Sequence, residues 1–191
     1  SRLYSCDFSS LYSNIKHSEA LSVISSFMRD KIDSVHFDII GFHSILKLVF
    51  ENNIFEFENK FYRQILGIAM GSKCGPVIAN IFLSCLENSW LIIHKPLVYV
   101  RFIDDIFVVL ENILSILALI KNNFGSLILN VVEGDTVNFL DLIIKIDRVT
   151  LSFVFSLYIK PTNTFSYLLI SSNHPDFIFK NIPLSHYIRI R

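Results

Sequence analysis

The stretch Tyr99-Val-Arg-Phe-Ile-Asp-Asp-Ile-Phe-Val-Val-Leu110 places two adjacent carboxylates between two runs of apolar residues. The pattern predicts a β-hairpin with Asp104 and Asp105 at its tip. Neighbouring carboxylates repel each other and Asp is a poor strand residue, so such a pair is favoured where a cation neutralises it. Mg²⁺ is the usual hard cation for carboxylate oxygens. The hairpin is therefore a candidate metal platform for phosphoryl transfer, and the competing interpretation is a solvated turn.

The composition indicates one globular domain with a large core. Of the 191 residues, 52% are hydrophobic and 18 are Phe, which suffices for such a core with a small appendage at one end. The mean hydropathy of +0.49 raises the question of a membrane span. The longest apolar run without a charge, residues 74–86, is shorter than the roughly 18 residues that a span requires. We therefore expect no membrane-spanning segment.

The cysteines indicate the redox environment of the chain, and its net charge bears on whether it binds nucleic acid. Three cysteines without a Cys-x-x-Cys spacing predict neither a disulfide framework nor a zinc site, and a reducing intracellular setting is the default. The formal net charge is zero, whereas proteins that bind nucleic acid usually carry a basic surface. Either the protein does not bind nucleic acid, or its basic part lies outside this chain.

The residue pattern predicts an α+β domain. Helices are expected after the N-cap Ser18 and over residues 36–51, 76–93, 112–121 and from 183 onward. Strands are expected over residues 2–8, 53–57, 60–64, 127–132, 137–146 and 151–160, in addition to the hairpin quoted above. This order predicts an antiparallel or mixed sheet with helices packed on one face.

Asp7 is a third candidate carboxylate, at the end of the first predicted strand. If that strand lies beside the hairpin, all three carboxylates converge at one edge of the sheet. Two divalent ions about 3.5–4 Å apart could then bind, one activating an attacking hydroxyl and the other stabilising the leaving oxygen. The alternative for Asp7 is a cap that ends the strand.

A loop over residues 67–76 adds Gly67, Gly71 and Gly75, which permit close backbone approach to a planar ligand or a phosphate.

Four segments together carry a family resemblance. They are Cys6–Ile15, with an Asp followed five residues later by an aromatic; residues 64–83, with Met-Gly-Ser through Pro to Ala-Asn-Ile-Phe; Phe102-Ile-Asp-Asp105; and Asn138-Phe-Leu-Asp-Leu142 with Tyr158-Ile-Lys-Pro-Thr162 and Ser172-Asn-His-Pro175. The first three are similar to the three palm motifs of reverse transcriptases, and the last looks like the tail of the Penelope-like retroelement group. The chain thus resembles a reverse transcriptase palm, most like the Penelope-like enzymes, which are related to telomerase.

The resemblance implies the palm fold of an RNA-directed DNA polymerase, with the fingers missing and the thumb truncated. Residues 1–160 would form the palm, and residues 161–191 the connection to the thumb and its start. Asp7 and Asp104 would be the principal metal ligands, and Asp105 would assist. The carbonyl of Phe8 would complete a metal shell around two Mg²⁺ ions, which Mn²⁺ could replace.

Further residues would bind the substrates. The amides of Ser9, Ser10, Leu11 and Tyr12 would face the triphosphate. The ring of Tyr12 would lie under the sugar and exclude a 2′-hydroxyl. Met70 and Gly71 would back the incoming nucleotide and the template base. Near the primer terminus would lie Leu157, Tyr158 and Lys160.

The implied partners are an RNA template, a DNA primer and dNTPs, with no membrane. We expect an intracellular, nuclear protein, although the sequence shows no targeting signal. The neutral charge then follows, because the palm is the acidic, metal-holding part of a polymerase whose basic surfaces lie elsewhere. Two alternatives stay open: a catalytically inactive palm remnant that acts as a nucleic-acid or protein interaction module, and an RNA-copying RNA polymerase palm. Tyr12 argues against the latter, because ribonucleotide polymerases need a smaller or polar group there.

Overall fold

The computed structural model describes residues 1–32, 37–111, 127–164, 166, 168–169 and 171–190, with side chains up to residue 188. The chain divides into two compact units, Ser1–Tyr158 and Ile159–Arg191. The helix predicted over residues 112–121 lies outside the described residues.

The first unit contains four helices and nine strands among its described residues. The strands are β1 Arg2–Phe8, β2 Ile54–Phe57, β3 Lys60–Arg63, β4 Val98–Phe102, β5 Asp105–Leu110, β6 Leu129–Gly134, β7 Thr136–Phe139, β8 Leu142–Asp147 and β9 Ser152–Leu157. The helices are α1 Leu11–Asn14, α2 His17–Lys31, α3 Ile39–Glu51 and α4 Gly75–His94. The second unit contains α5 Asp176–Ile190.

The central sheet has the strand order β4-β5-β1-β6, so the first strand of the chain lies between the hairpin and β6. Every pairing in the described sheets is antiparallel. The α+β class and the helix-covered sheet are confirmed, with an antiparallel rather than a mixed sheet. Two smaller sheets, β2-β3 and β7-β8-β9, complete the unit.

Both faces of the central sheet are covered. One face presents alternate residues of β1 and β5 to the helices α2, α3 and α4, and this main core includes Tyr4, Cys6, Phe8, Ile106, Val108, Ile24, Phe50, Phe82 and Leu83. The other face packs against β7 and β8 through Leu3, Phe107, Val109, Val137, Phe139 and Ile144. Burial on both faces explains why β5 is a continuous apolar run rather than an alternating one.

Several element boundaries differ from the prediction. Helix α2 begins at His17 with Lys16 as its N-cap, so Ser18 lies inside the first turn. The N-cap of α3 is Asp38, whose side chain accepts from the N–H groups of Ile40 and Gly41.

The C-terminal part of the chain differs more. The strand predicted over residues 137–146 is two strands, β7 and β8, because the chain turns back at Leu140, which has a left-handed φ of 53°. Helix α5 begins at Asp176 and contains Pro183, which was predicted to start it.

Helix α4 is the element to consider when asking whether the chain crosses a membrane. By length and composition alone it is the one described helix that could cross a membrane, with 20 residues and a mean hydropathy of 1.4. The sequence predicts no span here, because the charge-free run stops before Glu87. In the structure 33% of this segment is buried, and its inner residues, such as Phe82 and Leu83, pack on the central sheet. Core helices of folded domains have the same length and composition, so α4 is a weak indication of membrane insertion.

Candidate active site

The register of the central sheet brings the predicted carboxylates to one edge. Asp7 of β1 lies directly opposite Asp105 of β5. The turn between β4 and β5 consists of Ile103 and Asp104, and the carbonyl of Asp104 accepts a hydrogen bond of 3.3 Å from the N–H of Phe8. The first strand therefore lies beside the hairpin, as the candidate site requires.

Asp7 and Asp105 share the sheet face that β7 and β8 cover. Directly opposite residues of an antiparallel pair point to the same side, and alternation along β5 puts Phe107 and Val109 on the side of Asp105. The Asp7 side chain is exposed, and Asp104 and Asp105 are half-buried. The carboxylates thus lie at the solvent-accessible end of an otherwise apolar face.

The electrostatic surroundings of Asp7 include a second carboxylate, that of Asp104. Partial burial raises the pKa of Asp7, the charge of Asp104 raises it further, and a hydrogen bond from the Asn130 side chain lowers it. The repulsion between Asp7 and Asp104 is the kind that a bound cation relieves. Carboxylate oxygens together with a backbone carbonyl also form a donor set that suits a hard divalent cation.

The three carboxylates alone do not form a complete coordination shell for a metal ion. Within the described part of the chain, no group of three or more His, Cys, Asp and Glu side chains is arranged to hold a metal ion. The donor chemistry fits a divalent cation, and the three side chains lie at one edge of the sheet without being gathered around a single point.

Asn130 is a site residue that the sequence analysis missed. It lies opposite Asp7 on β6, where its side chain hydrogen bonds to the Asp7 carboxylate. Its Nδ2 also donates to Ser9 Oγ at 2.8 Å. One amide thus connects the carboxylate of β1 to the turn that follows it. An asparagine within a predicted apolar strand is the signal that could have identified it, because Asn is depleted in strands.

The turn that is predicted to face the triphosphate, residues 9–12, follows β1 directly. The N–H of Ser9 donates to the carbonyl of Ile128 at 2.9 Å, so this amide is engaged within the fold, and the Ser9 hydroxyl accepts from Asn130. Ser10 adopts a left-handed conformation with a φ of 51° and caps α1. Leu11 is buried and Tyr12 is half-buried against the main core.

The glycine loop is attached to this turn by its backbone. The N–H of Gly67 donates to the carbonyl of Ile15 at 3.1 Å, and the N–H of Ile68 donates to the carbonyl of Tyr12 at 2.6 Å. Gly67 has a φ of +81°, and a Cβ placed there would lie 2.6 Å from the Cα of Ser13. A glycine is therefore required at position 67, for close approach of one backbone to another.

Other predicted contacts lie farther along the chain. Met70 is 77% exposed, and Gly71 next to it has open space where a side chain would be. Leu157 lies opposite Leu142 at the end of β9, and the N–H of Tyr158 donates to the carbonyl of Asp141 at 2.8 Å. Lys160 belongs to the second unit.

The thiol next to Asp7 takes no part in this chemistry. Cys6 points to the helix-covered core, and burial raises the pKa of its thiol to about 12. A thiol with so high a pKa is not a nucleophile at neutral pH. The candidate chemistry is therefore carried by the carboxylates.

Comparison with known proteins identifies the family. The model of the family described as reverse transcriptase (RNA-dependent DNA polymerase) matches residues 2–130, which include β1, the triphosphate turn, the glycine loop and the Asp104-Asp105 hairpin. No curated protein matches the chain.

Solved telomerase structures share the fold. Apo telomerase from Candida tropicalis, truncated from the C-terminal domain, matches with a TM-score of 0.62 and 16% identity over 81% of this chain and 36% of that one. Telomerase from Candida albicans, in complex with the TWJ fragment of telomeric RNA, matches with a TM-score of 0.64 and 11% identity over 99% of this chain and 35% of that one. This chain thus spans about a third of the length of the telomerases that it resembles. Because the family model matches more than half of its residues and includes every carboxylate of the candidate site, the chain belongs to the reverse transcriptase family of RNA-dependent DNA polymerases.

Proposed function

We propose that the chain is the palm of a retroelement reverse transcriptase of the Penelope-like group, which joins a dNTP to a primer 3′-hydroxyl opposite an RNA template. The observation that carries this proposal is the register of Asp7 with Asp105, which puts Asp104 at the adjoining turn. Family membership supports the reaction class, and the substrates are inferred from the site.

Asp7 and Asp104 hold the cations in this proposal, with Asp105 and the Phe8 carbonyl as auxiliary donors. When bound, two Mg²⁺ or Mn²⁺ ions supply activation of the 3′-hydroxyl and stabilisation of the leaving pyrophosphate. The electrostatics of Asp7 support this assignment, because its pKa is raised first by burial and then by the charge of Asp104 close by. Asn130 keeps the Asp7 carboxylate oriented and favours its ionised form.

The turn after β1 selects the nucleotide. Tyr12 supports the sugar and excludes a 2′-hydroxyl, and the hydrogen bond from Ile68 to its carbonyl holds the backbone of Tyr12 in place. The Ser9 hydroxyl and the amides of Ser10 and Leu11 face the triphosphate. Met70 and Gly71 back the nucleotide and the template base. The primer terminus lies against Leu157 and Tyr158 in this proposal.

The remaining parts of the polymerase lie outside this chain in this proposal. Residues 1–160 are the palm, residues 161–191 begin the thumb, and the fingers and the rest of the thumb complete a nuclear enzyme. The two strands β2 and β3 are exposed along their whole length, with Phe55, Phe57 and Phe61 more than half exposed. Exposed apolar surface of this kind is typical of a contact with another protein segment.

Primer extension by the full-length protein that carries this chain tests the proposal. We expect RNA-templated incorporation of dNTPs that requires Mg²⁺ or Mn²⁺ and falls by about 10³-fold or more in Asp104→Ala, because a metal-binding carboxylate is lost. The matched control is Asp30→Ala, which removes an exposed carboxylate on α2 and retains activity. Undiminished extension by Asp104→Ala would overturn the assignment.

A second candidate is a catalytically inactive palm that acts as an interaction module. It is favoured by the finding that no three metal-binding side chains are gathered within the described residues. This candidate predicts no extension with either ion, together with RNA or protein binding that Asp104→Ala leaves unchanged. The same variant therefore separates the two functions.

A further inference from the structure

Arg101 of β4 connects the catalytic hairpin to helix α4. Its Nε lies 2.7 Å from Oε1 of Glu87, and the two side chains are only 10% and 4% exposed. Its Nη1 donates to Asn80 Oδ1 at 2.8 Å and to the carbonyl of Ile103 at 3.0 Å. Its Nη2 donates to Ser84 Oγ at 3.1 Å. One guanidinium thus hydrogen bonds to two residues of α4 and to the first residue of the turn that carries Asp104, and it forms an ion pair with a third residue of α4.

The turn needs such support. Ile103 has a φ of +57°, which is unfavourable for a β-branched residue and is retained only where the surroundings hold it. The Arg101 bond to the Ile103 carbonyl is the support on the α4 side. On the other side, the carbonyl of Asp104 accepts from the N–H of Phe8, next to Asp7. The turn is therefore fixed at two consecutive carbonyls, one toward α4 and one toward β1.

The ion pair fixes the guanidinium in turn. Burial raises the pKa of Glu87, and the charge of Arg101 counteracts that rise. A buried carboxylate without its partner is costly, so Arg101 has one strongly favoured position. The Glu87 carboxylate lies beside Nε as an ion pair, and the two Nη atoms donate to Asn80, Ser84 and the turn. A lysine would keep the charge but not this fork of donors, because its ammonium is a single point charge.

We propose that Arg101 is a positioning residue for catalysis, which holds the Ile103-Asp104 turn against β1 and so keeps Asp104 beside Asp7. The role of Asp104 in this inference rests on the proposed polymerase function, whereas the anchoring of the turn does not. Arg101 itself touches neither the substrates nor the reacting atoms.

Hydrogen exchange and steady-state kinetics of the full-length protein test the inference on two variants. Arg101→Lys keeps a charge opposite Glu87, and Glu87→Leu/Arg101→Met replaces the pair by apolar side chains, an exchange that is often neutral for stability. In both variants we expect wild-type exchange over residues 75–94 and about tenfold faster exchange over residues 102–105, the effect of losing a charge-assisted hydrogen bond. We also expect kcat to fall about tenfold while the KM for dNTP stays unchanged, because substrate binding is retained and the metal-holding geometry is not.

A matched control is Arg148→Lys, which alters another arginine–carboxylate pair, with Asp135, and leaves the exchange of the hairpin unchanged. Wild-type exchange over residues 102–105 and wild-type kcat in either folded variant would overturn the inference. If one variant fails to fold, the other carries the test. Faster exchange of the turn in a protein without polymerase activity would support the anchor and refute the proposed function, so the two failures are distinguishable.

Discussion

At the scale of single residues, the site depends on the balance of charge around Asp7. Two influences raise its pKa, burial and the charge of Asp104, and one lowers it, the hydrogen bond from Asn130. The carboxylate pair is therefore poorly accommodated without a cation, and Asn130 partly offsets that cost. A carboxylate whose pKa is raised by burial and by a second carboxylate is a candidate for a functional role.

The first residue-scale prediction concerns stability and pH. Because the folded-state pKa of Asp7 is raised above its unfolded value, the wild type loses stability as pH rises from the unfolded toward the folded pKa. Asp7→Asn has no such carboxylate, so without divalent cations we expect it to have the higher thermal midpoint at pH 7. The difference should vanish at a pH low enough to protonate Asp7 in both states. Thermal unfolding at the two pH values measures it.

Asp135→Asn provides the control with the opposite sign. The Arg148 side chain lowers the pKa of Asp135, so this carboxylate stabilises the fold above its unfolded pKa. We expect its substitution to bring no gain in midpoint at pH 7. An Asp7→Asn protein less stable than wild type at pH 7 would contradict the repulsion between Asp7 and Asp104.

The second residue-scale prediction concerns Asn130. Asn130→Ala removes the hydrogen bond that lowers the pKa of Asp7, so that pKa rises and more alkaline conditions are needed to ionise the carboxylate. We expect the acid limb of the pH profile of kcat/KM to move to higher pH in the full-length enzyme. The control, Asn138→Ala, alters an exposed asparagine of β7 whose backbone carbonyl, not its side chain, accepts from Ser5. An acid limb at the wild-type pH would exclude the role of Asn130.

At the scale of elements, backbone contacts decide how the glycine loop and the triphosphate turn meet. Residues 67 and 68 donate two backbone hydrogen bonds to the segment between β1 and α2. The loop therefore supports the backbone of Tyr12, and we expect a change in the loop backbone to shift the turn over residues 9–12.

A comparison of two glycines tests this element. Gly67→Ala places a Cβ 2.6 Å from Ser13 Cα at a φ of +81°, whereas Gly71→Ala at a φ of +96° meets nothing within 4 Å. We expect Gly71→Ala to cost about 1–2 kcal/mol of unfolding free energy, the strain of a left-handed residue. Gly67→Ala should cost roughly 3 kcal/mol or more, because the α1 backbone must also move. Chemical denaturation measures both, and equal losses would show that the close approach is unimportant.

The sequence identified the elements better than it identified the contacts between them. The apolar run of β5 and the position of Asp7 at the end of β1 were enough to predict the hairpin, the sheet and the position of Asp7 beside the hairpin. The split of residues 137–146 into β7 and β8 was missed, because Leu140 is not a typical turn residue and its left-handed conformation is imposed by the tertiary fold. Asn130 and Arg101 were missed because their partners are distant in the sequence, at Asp7 and on α4.

At the scale of the whole molecule, net charge limits what this chain does by itself. Its 17 basic and 17 acidic side chains give a formal net charge of zero, and the chain spans about a third of the length of the telomerases that share its fold. Affinity for nucleic acid rests largely on neutralised phosphates, each of which adds to the salt dependence of binding. In the proposed function, a neutral palm would therefore contribute the candidate metal-binding carboxylates and little of the affinity.

The last prediction follows from this charge. We expect the isolated chain to bind an RNA–DNA primer-template weakly, with a slope of log K against log salt close to zero. If the fingers and thumb of the proposed polymerase supply basic segments, the full-length protein should show a steep negative slope, because those segments would release counterions from the phosphates. Fluorescence anisotropy of a labelled primer-template between about 50 and 200 mM salt measures both slopes.

Addition of Mg²⁺ should strengthen binding by the isolated chain and not by Asp7→Asn, because only the former keeps the carboxylate that attracts the cation. A steep slope for the isolated chain would show that its basic residues form a phosphate-binding surface despite the neutral total, and the affinity would then have to be assigned to the palm itself.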